Sequence, residues 1–168
     1  MSEAVFAFGS NMCSGRLRDY AVAPSRGGVA AVLSEYRLRF NKPSLDGSGK
    51  ANVENSPDDV VWGVLYFIPV RQLAVLDAGE GSGYLRKRIL VRGGDGTSSQ
   101  AWIYVASAPD ANPNLRPYSW YKRFLVEGAN EHGLPPGYVE RLNAIDAIND
   151  PDVARDQVKR SLLCGGAE

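Results

Sequence analysis

Residues 60–68 read Val-Val-Trp-Gly-Val-Leu-Tyr-Phe-Ile, a nearly unbroken apolar run of β-branched and aromatic side chains. A strand apolar on both faces must be covered on both, so this segment is expected at the centre of a sheet with other elements packed over it. Gly63 and Pro69 interrupt the run, and no stretch approaches the ~18 residues of a membrane span.

Other strands flank it. Residues 4–8 form a short apolar run closed by Gly9. Residues 29–40 alternate at their end, with Tyr36, Leu38 and Phe40 on one face and Arg37 and Arg39 on the other. Residues 84–91 and 100–105 also favour strand, and Gly93-Gly94-Asp95-Gly96 between them reads as a hairpin turn. Residues 42–50, with Pro43, Gly47 and Gly49, are expected to form a flexible loop.

The last third changes period. Tyr121, Leu125 and Ala129 are spaced four apart; Tyr138, Leu142 and Ile145 follow at four and three. Ala154, Val158 and Leu162 repeat the four-residue spacing after Asp150-Pro151. These are helical stripes. With 168 residues the chain suffices for one well-cored domain, 1–168. The expected class is α+β, a mainly antiparallel sheet or barrel with helices at its end or side.

Charge and cysteine content narrow the function. Lys+Arg and Asp+Glu both count 19, so the chain lacks the basic footprint of a nucleic-acid binder and the polybasic patch of a membrane-surface protein. A small-molecule partner is expected. Cys13 and Cys164 are too few for a Cys-x-x-Cys zinc site or a disulfide framework. A single pairing stays open, and a reducing cytoplasm is the simpler reading. The opening Met1-Ser2-Glu3 has no basic region before its apolar stretch, which argues against a signal peptide.

The sole histidine, His132, stands at a helix end, where a favourable contact with the helix dipole accounts for it. Gly79-Glu80-Gly81-Ser82-Gly83 resembles a nucleotide loop only superficially, because helical spacing precedes it and a strand follows. Two segments carry more. Phe8-Gly9-Ser10-Asn11-Met12 ends a strand in residues suited to a sharp turn. With a helix starting near Ser14, its amides would gather into an anion-binding nest, although an ordinary strand-to-helix turn reads the same way. Glu80 lies between glycines, and facing a closed pocket its carboxyl would rise towards neutrality, as a general base requires. On spacing alone a solvated loop residue is the commoner reading of it. Asp77 is the competing carboxylate, with turn capping as its plainer role.

Together these segments resemble the γ-glutamylcyclotransferase family. Phe8-Gly9-Ser10-Asn11-Met12 is similar to its Tyr-Gly-Ser-Asn-Leu loop, and Leu76-Asp77-Ala78-Gly79-Glu80-Gly81 with Tyr84 to its Leu-Asp-x-x-Glu-Gly…Tyr segment. Residues 56–64 resemble the central strand and its approach; 121–123 and 128–135 resemble the C-terminal helices. The resemblance implies a small mixed β-barrel with surrounding helices. It implies release of 5-oxoproline from a γ-glutamyl amide by attack of the substrate's own α-amine, with no cofactor and no metal. It makes Glu80 the catalytic acid/base, and Phe8, Gly9, Ser10, Asn11, Met12, Tyr84 and Tyr121 the substrate-binding residues. Phe8 departs from the family's tyrosine and lacks its hydroxyl. A homodimer is compatible with this reading. The alternatives are a cyclotransferase for γ-glutamylamines or a γ-glutamyl-protected natural product, and a non-catalytic 5-oxoproline-binding module of the same fold.

Overall fold

The computed structural model describes residues 1–107 and 111–163. Five strands close into a barrel: β1 (Ser2–Ala7), β2 (Arg26–Pro43), β3 (Gly49–Pro69), β4 (Tyr84–Gly93) and β5 (Ser98–Ala106), in the order β1-β3-β2-β4-β5. All pairings are antiparallel except the closing one, where β1 meets β5 in parallel with Val5 opposite Trp102. Five α-helices complete the described residues: α1 (Ser14–Asp19), α2 (Leu73–Glu80), α3 (Ser119–Glu131), α4 (Pro136–Asn143) and α5 (Val153–Ser161). No helix among the described residues is long and apolar enough to cross a membrane.

The apolar run 60–68 is the heart of β3, and it is central as its composition demands. Leu65 pairs with Phe6 on one side and with Val29 on the other. Gly63 serves this crowding. A Cβ there would lie 2.3 Å from the Ala7 carbonyl oxygen and 2.7 Å from the Phe6 ring, so only glycine lets β1 approach β3 so closely.

β2 and β3 are longer than the sequence indicates. Residues 42–50 are not a flexible loop: β2 runs to Pro43, β3 starts at Gly49, and only 44–48 turn between them. Asp46 orders that turn by accepting from the Ser48 amide at 2.9 Å and pairing with Lys50 at 2.7 Å. Between Ser34 and Tyr36 the partner on β3 jumps from Val60 to Asn55. Residues 56–59 are therefore a bulge, which accommodates Pro57 without an amide to donate, and Glu35 opposite takes φ 66°. The same irregularity resets the face of β2, which is why Leu33 and Tyr36 both turn inward although their spacing is odd.

The first two helical stripes pack as expected. α3 buries Trp120, Tyr121, Phe124, Leu125 and Ala129, and α4 buries Tyr138 and Leu142. The third does not. α5 buries no residue, and Val158 is 59% exposed. Ion pairs hold α5 instead: Arg155 Nε donates at 2.7 Å to Asp150, which also accepts from Trp120 Nε1 at 2.8 Å and sits buried beneath the helix. The guanidinium and these hydrogen bonds hold the Asp150 carboxyl well below the usual carboxylate range.

Gly128 on α3 meets the chain leaving β1 backbone to backbone. A Cβ at Gly128 would lie 2.5 Å from the Met12 carbonyl carbon and 2.5 Å from the Cys13 nitrogen. Gly128→Ala is expected to lose about 1–3 kcal/mol of stability by overpacking, measured by urea unfolding, whereas Gly137→Ala, with open space at the Cβ position, stays near wild type.

Candidate active site

The turn that follows β1 is set by its own backbone. Ser10–Met12 forms one 3₁₀ turn, with the Met12 amide donating to Gly9 O at 3.1 Å and the Cys13 amide to Ser10 O at 3.1 Å. The amides of Ser10 and Asn11, at the start of a helical turn, have no acceptor within it. Gly9 keeps this approach close: a Cβ would lie 3.0 Å from Ala51 Cβ and 3.2 Å from the Tyr121 hydroxyl, so either neighbour would have to give. Met12, also expected from the sequence, is placed apart from the others. Its side chain is fully buried, its amide is spent inside the turn, and it does not line the cavity.

Glu80 is not in a glycine loop. It is the last residue of α2, and Gly81 behind it ends the helix with φ 73°. Gly79 inside the helix lets the Tyr20 ring lie against it, since a Cβ would lie 2.8 Å from that ring. The helix end carries the half-buried carboxylate to the turn after β1, where Asn11 Nδ2 donates to Glu80 Oε1. Asn11 Oδ1 is then buried with no partner among the described residues, an acceptor beside the carboxylate.

Burial raises the Glu80 carboxyl to about 7, against the opposing pull of the Arg16 charge, the Asn11 hydrogen bond and the Lys42 charge; Asp77 adds to the rise. Arg16 donates to the Tyr20 hydroxyl at 2.7 Å with its guanidinium over that ring. Asp77 caps no turn with its side chain. It accepts from the Tyr104 hydroxyl at 2.6 Å and pairs with Arg86 at 3.2 Å.

Tyr84 and Tyr121 both converge on Ala51 of β3. The Tyr84 hydroxyl donates to Ala51 O at 2.6 Å, and the Ala51 amide donates to the Tyr121 hydroxyl at 3.1 Å. Burial pushes the Tyr121 phenol up to about 12, so both rings remain neutral walls with fixed hydroxyls. Phe8, Gly9, Ser10, Asn11, Glu80, Tyr84 and Tyr121 line one cavity. Seven of the eight residues expected at the site are therefore brought together, with Met12 the exception.

The sequence missed Tyr66, Tyr104 and Arg16. Tyr66 and Tyr104 bring hydroxyls to runs read only for their apolar pattern, which is the signal that pointed to them; Arg16 left none. The Tyr66 hydroxyl donates to Met12 O at 2.7 Å and receives His132 Nε2 at 2.7 Å. His132 is thus more than a dipole partner: it backs the tyrosine that pins the turn. Cys13 is buried at the start of α1 and is not a free thiol, against the simpler reading of its chemistry; Cys164 lies outside the described residues. No group of three or more potential metal ligands occurs among the described residues.

Known proteins resemble this chain over most of its length. The bovine protein named gamma-glutamylcyclotransferase is 32% identical over 97% of this chain and 89% of its own length. The chain belongs to the γ-glutamylcyclotransferase family. Its human namesake is also 32% identical, over 84% of this chain and 77% of that protein. A solved structure titled gamma-glutamyl cyclotransferase superposes with a TM-score of 0.82 at 27% identity, covering 96% of this chain and 99% of that one. The AIG2-like family model matches residues 60–142, a span that includes Glu80, Tyr84 and Tyr121.

The raised Glu80 carboxyl makes a sign prediction. Its folded pKa of about 7 lies above the unfolded value of about 4.3, so the associated stability is full below that unfolded value and lost as pH rises through about 7. Glu80→Gln removes this dependence. Urea midpoints followed from pH 5 to 8.5 should fall more steeply in wild type than in the variant, and parallel curves would show an ordinary surface carboxylate.

Proposed function

We propose that this chain is a γ-glutamylcyclotransferase in which Glu80 moves the proton. The substrate's α-amine attacks its own δ-carbonyl, forming the ring C–N bond; the amide C–N bond breaks, giving 5-oxoproline and a free amine or amino acid. No protein nucleophile is needed, because the attacking nitrogen belongs to the substrate.

The arrangement suits each requirement. A γ-glutamyl chain must fold so that its amine lies over the carbonyl, and such positioning is worth about 7–11 kcal/mol of barrier. Walls formed by Phe8, Tyr84 and Tyr121 confine the chain. The α-ammonium must lose a proton before it can attack. Glu80, with its carboxyl at about 7, accepts that proton, and Asn11 Oδ1 accepts a second N–H from the same nitrogen. The amides of Gly9, Ser10 and Asn11 offer donors to the developing oxyanion. Glu80 then returns its proton to the leaving nitrogen, a step of general acid catalysis worth roughly 10²–10⁴-fold, and the second proton shed by the ring nitrogen leaves with the released amine as its ammonium. Phe8 keeps the aromatic wall of the family's tyrosine and gives up its hydroxyl.

The observation that carries this reading is the half-buried Glu80 carboxylate tied through Asn11 to the turn after β1. Glu80→Gln should fold as wild type and release no 5-oxoproline from a γ-glutamyl amide, measured by chromatography. In wild type, kcat/KM should rise with pH through about 7, because only the ionised carboxylate accepts the ammonium proton. A variant that turns over at the wild-type rate removes Glu80 from the mechanism. Thermal stabilisation by 5-oxoproline with no turnover in wild type would identify a binding module instead.

A further inference from the structure

Glu80 is the only acid among the described residues that line the cavity, and two demands on it conflict. Burial favours the neutral acid, whereas taking a proton from the substrate's ammonium needs the carboxylate. The groups around it come from every neighbouring element. Asn11, on the turn after β1, is uncharged and donates one hydrogen bond. Tyr84 of β4, Tyr104 of β5 and Tyr121 of α3 line the same cavity, and burial keeps their phenols neutral. Asp77 of α2 has the same sign as Glu80 and is engaged by Tyr104 and Arg86. Two cations remain among the described residues, Lys42 of β2 and Arg16 of α1.

The two are held differently. Lys42 Nζ, on a flexible stem, lies 5.0 Å from the centre of the Tyr84 ring. Arg16 is fixed by three contacts. Its Nη1 pairs with Asp19, its Nη2 donates to the Tyr20 hydroxyl at 2.7 Å, and its guanidinium carbon lies 4.3 Å from the centre of the Tyr20 ring. Tyr20 in turn is seated on α2. A Cβ at Gly79 would lie 2.8, 2.9 and 2.9 Å from three atoms of that ring, so the ring rests on the backbone of the residue before Glu80. Asp19 does not cancel the guanidinium. Its side chain is 32% exposed against 16% for Arg16, so water screens the aspartate more than the arginine. The result is a rigid, largely buried positive charge at the end of the helix that carries Glu80, where the low dielectric lets its field act.

We propose that Arg16 is a positioning residue for the proton transfer: clamped on Tyr20 at the end of α2, its guanidinium keeps Glu80 ionised for the substrate's ammonium. This rests on Glu80 acting as the base. The behaviour of the Glu80 carboxyl supports it, because Arg16 is the strongest of the influences that oppose burial there, ahead of Asn11 and Lys42.

The test follows kcat/KM for 5-oxoproline release from γ-glutamyl-alanine between pH 6 and 9, with each variant read as a ratio to wild type. Arg16→Gln keeps a donor towards Tyr20 and loses the charge. Its Glu80 ionises only at higher pH, so the ratio should fall several-fold at pH 6 and return to near one at pH 9. Arg16→Lys keeps the charge and should restore most of the activity at pH 6. Arg18→Gln removes the same charge from an exposed position on the same helix, where Arg18 meets Ser14, and should leave the ratio near one throughout. Asp19→Asn bares the guanidinium and should act in the opposite sense, lifting the ratio above one at pH 6. Circular dichroism and thermal midpoints check folding. Should Arg16→Gln not fold, Asp19→Asn decides alone, and a ratio of one at every pH overturns the proposal. An Arg16→Gln ratio lowered equally at every pH makes the residue a support of α2 only and overturns it as well. So does a ratio unmoved at every pH, and so does an equal pH-dependent fall in Arg18→Gln. In each of these cases an inactive Glu80→Gln leaves cyclotransfer in place. Wild-type activity in Glu80→Gln defeats the functional reading and this proposal with it.

Discussion

The site depends on a close contact without side chains. At Gly128, α3 lies directly on the peptide joining Met12 to Cys13. That contact fixes the turn after β1 from below. Tyr66 fixes it from the side by donating to Met12 O, and His132, at the end of α3, backs Tyr66. Buried backbone groups must be satisfied, so a turn clasped this way has one conformation available. Asn11 can then meet a carboxylate arriving from α2, an element 69 residues away in the chain.

A second clasp lies across the cavity. Ala51 contributes no functional group, yet its carbonyl accepts from Tyr84 and its amide donates to Tyr121. Those rings come from β4 and α3, and β3 is the floor that aligns them. Both phenols stay neutral because burial opposes their ionisation. The one strongly perturbed carboxylate in the cavity is therefore Glu80, free of competition from its nearest hydroxyls.

Much of this was legible in the letters. The 60–68 run declared a central strand because few other arrangements hide so much apolar surface. The stripe of Tyr121, Leu125 and Ala129 declared a buried helix face for the same reason. Legibility failed where long-range partners decide. Residues 42–50 carry Pro43, Gly47 and Gly49, local signs of a loop, but ladder pairing and the Asp46 contacts convert most of them to hairpin. Ala154, Val158 and Leu162 keep a helical period, yet Asp150 draws the charged side of α5 inward. Glu80 looked solvated because its neighbours are glycines. Its burial comes from residues distant in sequence, Asn11 and Tyr121 among them, and no local pattern records that. Met12 sits apart for a related reason: the turn consumes its amide, a detail of hydrogen-bond register rather than of residue type.

Closure of the barrel orders these events in time. β1 is synthesised before the other four strands, and its parallel partner, Trp102 on β5, emerges nearly a hundred residues later. Until then one edge of the amino-terminal strand stays open, and α3, whose glycine seats the adjoining turn, does not yet exist. The first strand of the barrel thus reaches its final setting only after the other four strands are made, and no nascent fragment short of α3 carries an assembled reactive centre.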